Sequence, residues 1–553
     1  MADATKSPPI PAEASTSTEH TPLLSVFQPS TTPILPWYRR PDPMWVMIPM
    51  FILSCSYGAT MTPLVVWIEE IVCEYQSRQT PESSIGSGSV GNGTSGQPLE
   101  DCTTPEVQAL ASKILMIFHL TMAIAALIST SYLSAMSDRL GRRFVLRVSA
   151  FGMTVYSVLL WLAAQYWRQL PLYFLVVPGF IEGFFGGSTT LIAAIYAYVA
   201  DCTTTEERSI AFGRLVASIF LGQMIGPAMG GYLMKAFGGI SFVLMAGLIV
   251  AFIWLILVVF FLPESNTHIQ AGDPSADSVP TPSAAKFKLS HLNFFGALSI
   301  VFTARSPYVT SSALPLLITA HFMTIFAVGS QGIIVLYTGI RFHWGALQAG
   351  ILLSVENSGR LLALLMVMPV VVSTYRRYHV GEKARRAQER QERAKSDNDD
   401  DEVNHDDVIE EELRRDKTQD VQLNLWLTRF GLSMSVAFYL AFALVTAGRQ
   451  LFAITPLQSA ATLYTPAMRS LLTSIVGPTQ TGAVLGAVSV VEAVGGIISP
   501  LVFNMLYSKF VYTNPSVPFF LCAAALAAGV VCLLLVRPVM EPPRTGRRGE
   551  EAA

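Results

Sequence analysis

Ionisable side chains stand inside otherwise apolar stretches of this chain, among them His119, Glu182, His321, Glu356, Arg360, Arg469 and Glu492. A charged group costs at least about 2.5–3.5 kcal/mol to place in a bilayer, so those that occur face a cavity or pair with one another. Glu356 and Arg360 are four apart, on one helix face, and are expected to neutralise each other. Arg469 and Glu492 fall at similar depths on adjacent stretches and form a second expected pair. Glu182 has no partner within its own stretch. A carboxylate in that position is a candidate to exchange a proton near neutral pH. His119 and His321 titrate in the useful range, and each also reads as a hydrogen-bonded packing residue. The chemistry on offer is proton exchange and charge recognition. Tyr57, Trp67, Tyr196, Tyr198 and Phe326 are aromatics that either line a pathway or pack. No phosphate-binding loop, metal-ligand cluster or nucleophile elbow is visible, so neither an enzyme nor a nucleotide-driven pump is expected, and no cofactor or metal.

The elements that position these residues follow from composition. Of 553 residues, 51% are hydrophobic and 14% charged, against about 25% charged in a typical soluble domain. A lipid-facing surface accounts for the shortfall. Charge is confined to tails and loops, and no basic stripe with interleaved aromatics points to nucleic acid. A helix needs about 20 apolar residues to cross a bilayer. Runs of that length stand at 44–67, 108–133, 144–164, 172–199, 211–234, 241–262, 313–338, 345–372, 425–447, 450–475, 482–508 and 515–537. Twelve crossings put both termini on one side. Arg139, Arg142, Arg143, Arg147, Arg208, Arg376, Arg377 and the tail arginines fall on that side, which makes it cytoplasmic.

The expected plan is an all-α membrane protein. A cytoplasmic tail (1–43) leads to a six-helix bundle (44–262). A cytoplasmic linker (263–312) joins it to a second bundle (313–538) that carries a charged insert (375–424), and a short tail (539–553) follows. The insert is basic and then acidic, and reads as a solvated or partly helical tether. A weak repeat relates the halves. The fifth run carries Gly222, Gly226, Pro227, Gly230 and Gly231, and the eleventh carries Gly486, Gly495, Gly496 and Pro500. Glycines four apart allow close backbone approach, and proline removes a backbone hydrogen bond and kinks the helix.

The stretch Asp138-Arg139-Leu140-Gly141-Arg142-Arg143 between the second and third runs resembles the signature loop of the major facilitator superfamily, with Ser134 where that pattern opens on Gly. The Gly222–Gly231 run resembles the fifth-helix motif of proton-coupled drug antiporters. The resemblance implies two six-helix halves with a substrate site near midplane between them. It also implies a gating pair of Asp201 with Arg142 or Arg143, and an Asp138 that faces the start of the eleventh helix. Tyr198-Val199-Ala200-Asp201 followed by the glycine helix looks most like the solute carrier 46 (proton-coupled folate transporter) and tetracycline-resistance-like branches. Drug antiporters have Arg four residues before a Gly in the fourth helix; here Glu182 precedes Gly186.

Processing signals fit the same topology. Asn92-Gly93-Thr94 is a glycosylation acceptor in the loop 68–107, on the non-cytoplasmic side. Cys73 and Cys102 bracket that loop and are a candidate disulfide. Glu19-His20-Thr21-Pro22-Leu23-Leu24 resembles an acidic dileucine signal, read by sorting adaptors, for a vacuolar or other endomembrane address; the plasma membrane is the other destination. The expectation is a monomeric, proton-coupled secondary transporter that exports or sequesters a small organic solute. The alternatives are a proton-coupled importer of an organic anion and a non-transporting receptor or scaffold on the same fold.

Overall fold

Gly and Pro positions in the apolar runs decide where helices bend. The computed structural model describes residues 40–79, 102, 104–203, 208–265, 301, 309–310, 312–375, 377–378, 405–475 and 481–537. Glu19, Leu23, Leu24, Asn92, most of the linker, the insert before His405 and the C-terminal tail lie outside the described residues, as do the side chains of Asp138 and Arg139.

The first half contains α1 (Met44–Gln79), α2 (Pro105–Leu140), α3 (Arg142–Tyr166), α4 (Val176–Phe184), α5 (Gly187–Asp201), α6 (Arg208–Phe237) and α7 (Ile240–Ile256). The second contains α8 (Ala313–Val328), α9 (Gln331–Phe342), α10 (Ala346–Leu362), α11 (His405–Leu444), α12 (Gly448–Ala461), α13 (Tyr464–Ile475), α14 (Thr481–Phe510) and α15 (Val517–Leu535). Among the described residues, ten helical segments are long and apolar enough to cross a membrane, and eleven if α8 and α9, bent by 41°, count as one. The pair α12 and α13 supplies the twelfth segment. It is broken after Ala461 and is more polar than the others.

Broken spans need their freed backbone groups satisfied, because lipid offers no partner. Between α4 and α5 the chain turns through Gly186 and Gly187, both at positive φ (96° and 57°). Ser129 of α2 donates to the Gly183 carbonyl at 2.6 Å, and Thr189 donates to that of Gly186 at 3.2 Å. At the α8–α9 bend, Ser330 and Tyr439 both donate to the Ala327 carbonyl, at 2.7 and 3.3 Å.

Two helix pairs carry most of the contact between the halves, α6 with α10 and α2 with α14; α1 and α2 also touch α9. Three boundaries differ from the sequence reading: α2 runs to Leu140 rather than stopping at 133, so residues 134–140 are helical. The first helix does not stop at 67 but runs to Gln79, and α11 starts at His405, so residues 405–424 of the insert belong to the ninth helix. All three extensions carry charge, which ended the apolar runs without ending the helices. Below, the disulfide end is the end of the bundle where α1 finishes and α2 starts; the Gly141 end is the opposite one.

Candidate functional site in the two bundles

At the Gly141 end, α2 and α3 are joined by one residue. Gly141 has φ +96°, and a Cβ there would lie 2.6 Å from the carboxyl carbon of Glu264. Both the conformation and the space therefore demand glycine. Glu264 accepts the backbone N–H groups of Arg142 and Arg143, at 2.8 and 3.1 Å, and its negative charge offsets the positive end of α3. Asp201 receives Arg142 Nε at 3.1 Å and the Ser265 hydroxyl at 3.1 Å. Arg143 turns away to the Val258 and Val259 carbonyls, at 3.3 and 2.6 Å, and Arg147 also reaches Val259, at 3.1 Å. Those carbonyls are orphans of the π-turn Leu257–Phe261, where the sixth span ends. Glu264 follows an apolar run and has no distinctive spacing, so the sequence held no signal for it.

The glycines of α6 divide by face. Gly222, Gly226 and Gly230 lie against the backbone of α1: a Cβ on Gly222 would sit 2.7 Å from Cys55 N, and one on Gly226 would sit 2.9 Å from Ala59 N. Gly231 instead abuts Ala346 and Leu347 of α10, across the two halves. Pro227 lacks the N–H that the Gln223 carbonyl would otherwise receive. Asn357 of α10 donates to that carbonyl at 3.4 Å, and Ser354 accepts the N–H of Ala228 at 3.0 Å. The seam between halves thus uses a backbone group released by proline.

Inside the first half, Glu182 stands on α4 one turn before the Gly186–Gly187 break. It lines a cavity of about 80 Å³ with Tyr57, Thr60, His119, Tyr156 and Ser157. That is room for several waters. His119 shares the cavity, and its Nδ1 is 2.8 Å from the Leu115 carbonyl. Glu182 makes no hydrogen bond or ion pair among the described residues, although it lies close enough to act electrostatically on Tyr57 and Tyr156. Tyr57 faces the cavity, whereas Trp67 and Tyr198 are buried packing residues.

The second half treats its carboxylate differently. Glu492 Oε1 lies 3.0 Å from His321 Nε2 and 3.4 Å from Arg469 Nη2. His321 is buried and its Nδ1 meets the Tyr464 hydroxyl at 3.1 Å. Four residues from α8, α13 and α14 therefore form one chain: Arg469, Glu492, His321, Tyr464. Joining His321 to Glu492 lay beyond the sequence, because apolar runs of this length do not reveal helix rotation. Arg469 is 58% exposed and lies close enough to Tyr196 of the first half to act on it electrostatically. It therefore faces the cleft between halves. Glu356 and Arg360 pair within α10, with Glu356 buried. Cys73 and Cys102 are joined as a disulfide, their Cα atoms 5.4 Å apart.

Comparison with known proteins agrees with this layout. The model of the Major Facilitator Superfamily matches residues 106–383. The lysosomal proton-coupled steroid conjugate and bile acid symporter SLC46A3 of Pongo abelii is 24% identical, covering 78% of this chain and 81% of its own. The MFS efflux pump atnC of Emericella nidulans is 22% identical, covering 82% of this chain and 80% of its own. The human organic anion transporter MFSD10 (TETRAN) superposes with a TM-score of 0.54 at 16% identity, over 90% of this chain and all of its own. With an all-helical, span-rich fold among the described residues and a family match over half its length, the chain belongs to the Major Facilitator Superfamily, and so to membrane transporters rather than enzymes.

Proposed function

We propose that this transporter couples the movement of a small organic solute to protons by alternating access, with export or vacuolar sequestration as its direction. The observation that carries the coupling is the Glu182 chamber: a carboxyl group beside a mid-span helix break, in a water-sized cavity, with no cation to hold it. Broken helices of this kind line the sites where transporters take up substrate and ion. In such a site the group can gain or lose its proton as water access alternates. By the positive-inside rule, the arginines at the Gly141 end support a cytoplasmic side for that end and for both termini. The disulfide end then faces the lumen or the exterior.

A second reading is proton-coupled uptake of an organic anion. Arg469 favours it: the guanidinium is largely exposed, faces the other half, and shares Glu492 with His321. A substrate carboxylate could compete for Arg469, and its arrival would be felt at His321 through Glu492. The symporter SLC46A3 and the efflux pump atnC stand for the two directions among relatives.

Comparing metabolites inside and outside cells with and without the protein identifies a substrate. Uptake and efflux by vesicles at two external pH values then separate the readings. Glu182→Gln is expected to abolish pH-driven transport and leave counterflow exchange intact. Unchanged pH-driven transport in that variant removes Glu182 as the coupling group.

A further inference from the structure

A third carboxyl group lies outside the chambers, at the seam between halves. Glu69 stands in the stretch of α1 that continues past its apolar run, and it is 6% exposed. Gln108 of α2 donates its amide N–H to Glu69 Oε1. The same amide accepts the hydroxyl of Tyr507, from α14 of the other half, at 3.3 Å. One turn further along α2, Ser112 donates to the Asn504 backbone and side-chain oxygens at 3.0 and 3.1 Å. A Cβ on Gly339 of α9 would lie 3.7 Å from Glu69 Oε2, so the carboxyl also rests against the second half. Glu69, Gln108 and Tyr507 therefore form a directed chain: the second half donates, an amide relays, and the carboxyl receives.

The groups around Glu69 are uncharged except for another acid. α2 offers the Gln108 amide, and α14 offers the Tyr507 phenol with Tyr337 beyond it. α9 offers backbone at Gly339. On α1 itself the neighbour is Glu70. Among the described residues no lysine or arginine pairs with Glu69. A buried carboxylate without a cation costs several kcal/mol, and a second acid beside it adds to that cost. A neutral carboxyl keeps its carbonyl oxygen for the Gln108 amide and avoids the penalty. Opening the seam brings water, which removes the reason to stay neutral.

We propose that Glu69 is a second proton-carrying residue of the transport cycle: it holds a proton while the disulfide-end seam is closed and gives it to water in that compartment as the seam opens. The proposal rests on the proton-coupling reading above, but its site, compartment and partners are different. It makes closure of the seam depend on the pH of the disulfide-end compartment. Acid favours the closed seam, and alkali favours opening.

The test reads the seam directly and requires no substrate. A cysteine at Ala346, packed on Gly231 at the other half-to-half contact, reports opening through labelling by a membrane-impermeant maleimide applied from the disulfide end. Labelling of the full chain without that cysteine is subtracted, and at each pH the rate is divided by that of the same cysteine in the unfolded chain, because maleimide reacts with the thiolate. In the parent, labelling rises as pH is raised on that side. Glu69→Gln keeps the acceptor but cannot lose a proton, so its labelling stays low and flat with pH. Tyr507→Phe removes the donor from the second half and raises labelling roughly five- to tenfold, the worth of one such hydrogen bond, while the pH dependence remains. A parent profile flat with pH, or a pH-dependent profile that survives in Glu69→Gln, overturns the proposal. If Glu69→Gln is not obtained folded, Tyr507→Phe decides alone, and unchanged labelling there overturns it. Glu182→Gln should leave this profile intact, so failure of the coupling reading at Glu182 and failure at Glu69 are seen in separate experiments.

Discussion

The two halves each hold a half-buried carboxyl group inside the bundle and treat it in opposite ways. Glu182 is held only by its chamber, beside a helix broken at two positive-φ glycines. Glu492 is held by His321 and Arg469, with Tyr464 behind the histidine. A group without fixed partners is free to change protonation at small structural cost. A group with two partners resists change unless a competitor displaces one of them. The difference suggests a division of labour in the proposed cycle: the first half exchanges the proton and the second half senses the solute.

The comparison breaks most visibly at Glu492. Glu492→Ala leaves the buried His321 without its acceptor and frees Arg469. It is expected to cost about 2–3 kcal/mol of stability, the upper range for such a loss being reduced because Glu492 is 31% exposed. Glu182→Ala removes no hydrogen bond and is expected to cost less than about 1 kcal/mol. Thermal unfolding of the detergent-solubilised chains checks both, and equal losses would erase the distinction. Ser129→Ala sharpens the first half: it removes the α2 hydrogen bond to the Gly183 carbonyl at the α4 break, which keeps only the Gly186 N–H at 2.9 Å, and costs about 1 kcal/mol or less. It also lets Glu182 shift, so pH-driven transport falls more than counterflow. Arg469→Gln is the smallest structural change, at most about 0.5 kcal/mol because the guanidinium is largely exposed. Its effect belongs to substrate affinity, with KM raised well before the maximal rate falls.

The parts of the molecule written in local spacing were readable in advance. Arg142 and Arg143 flanking a one-residue turn, and glycines four apart on α6, have consequences set by backbone geometry whatever surrounds them. Residues whose meaning depends on helix rotation were not readable. His321 and Glu492 are 171 positions apart, and nothing in either apolar run says that they face each other. Glu69 was hidden for another reason. Glu69 and Glu70 end the apolar run and look like the start of a loop, yet α1 continues through them to Gln79. Hydropathy reports where lipid-compatible composition stops, and a helix buried among other helices need not stop there. Asn357 was equally silent, because its partner is a carbonyl made available by Pro227 in the other half.

The division between the halves is tested most directly in proteoliposomes, once a substrate is in hand, by comparing accumulation under an imposed pH gradient with counterflow at equal pH. The account predicts that Glu182→Gln loses gradient-driven accumulation and keeps counterflow, while Arg469→Gln keeps the response to the gradient and weakens both processes through substrate affinity. Gradient-driven accumulation that persists in Glu182→Gln and disappears selectively in Arg469→Gln would contradict it.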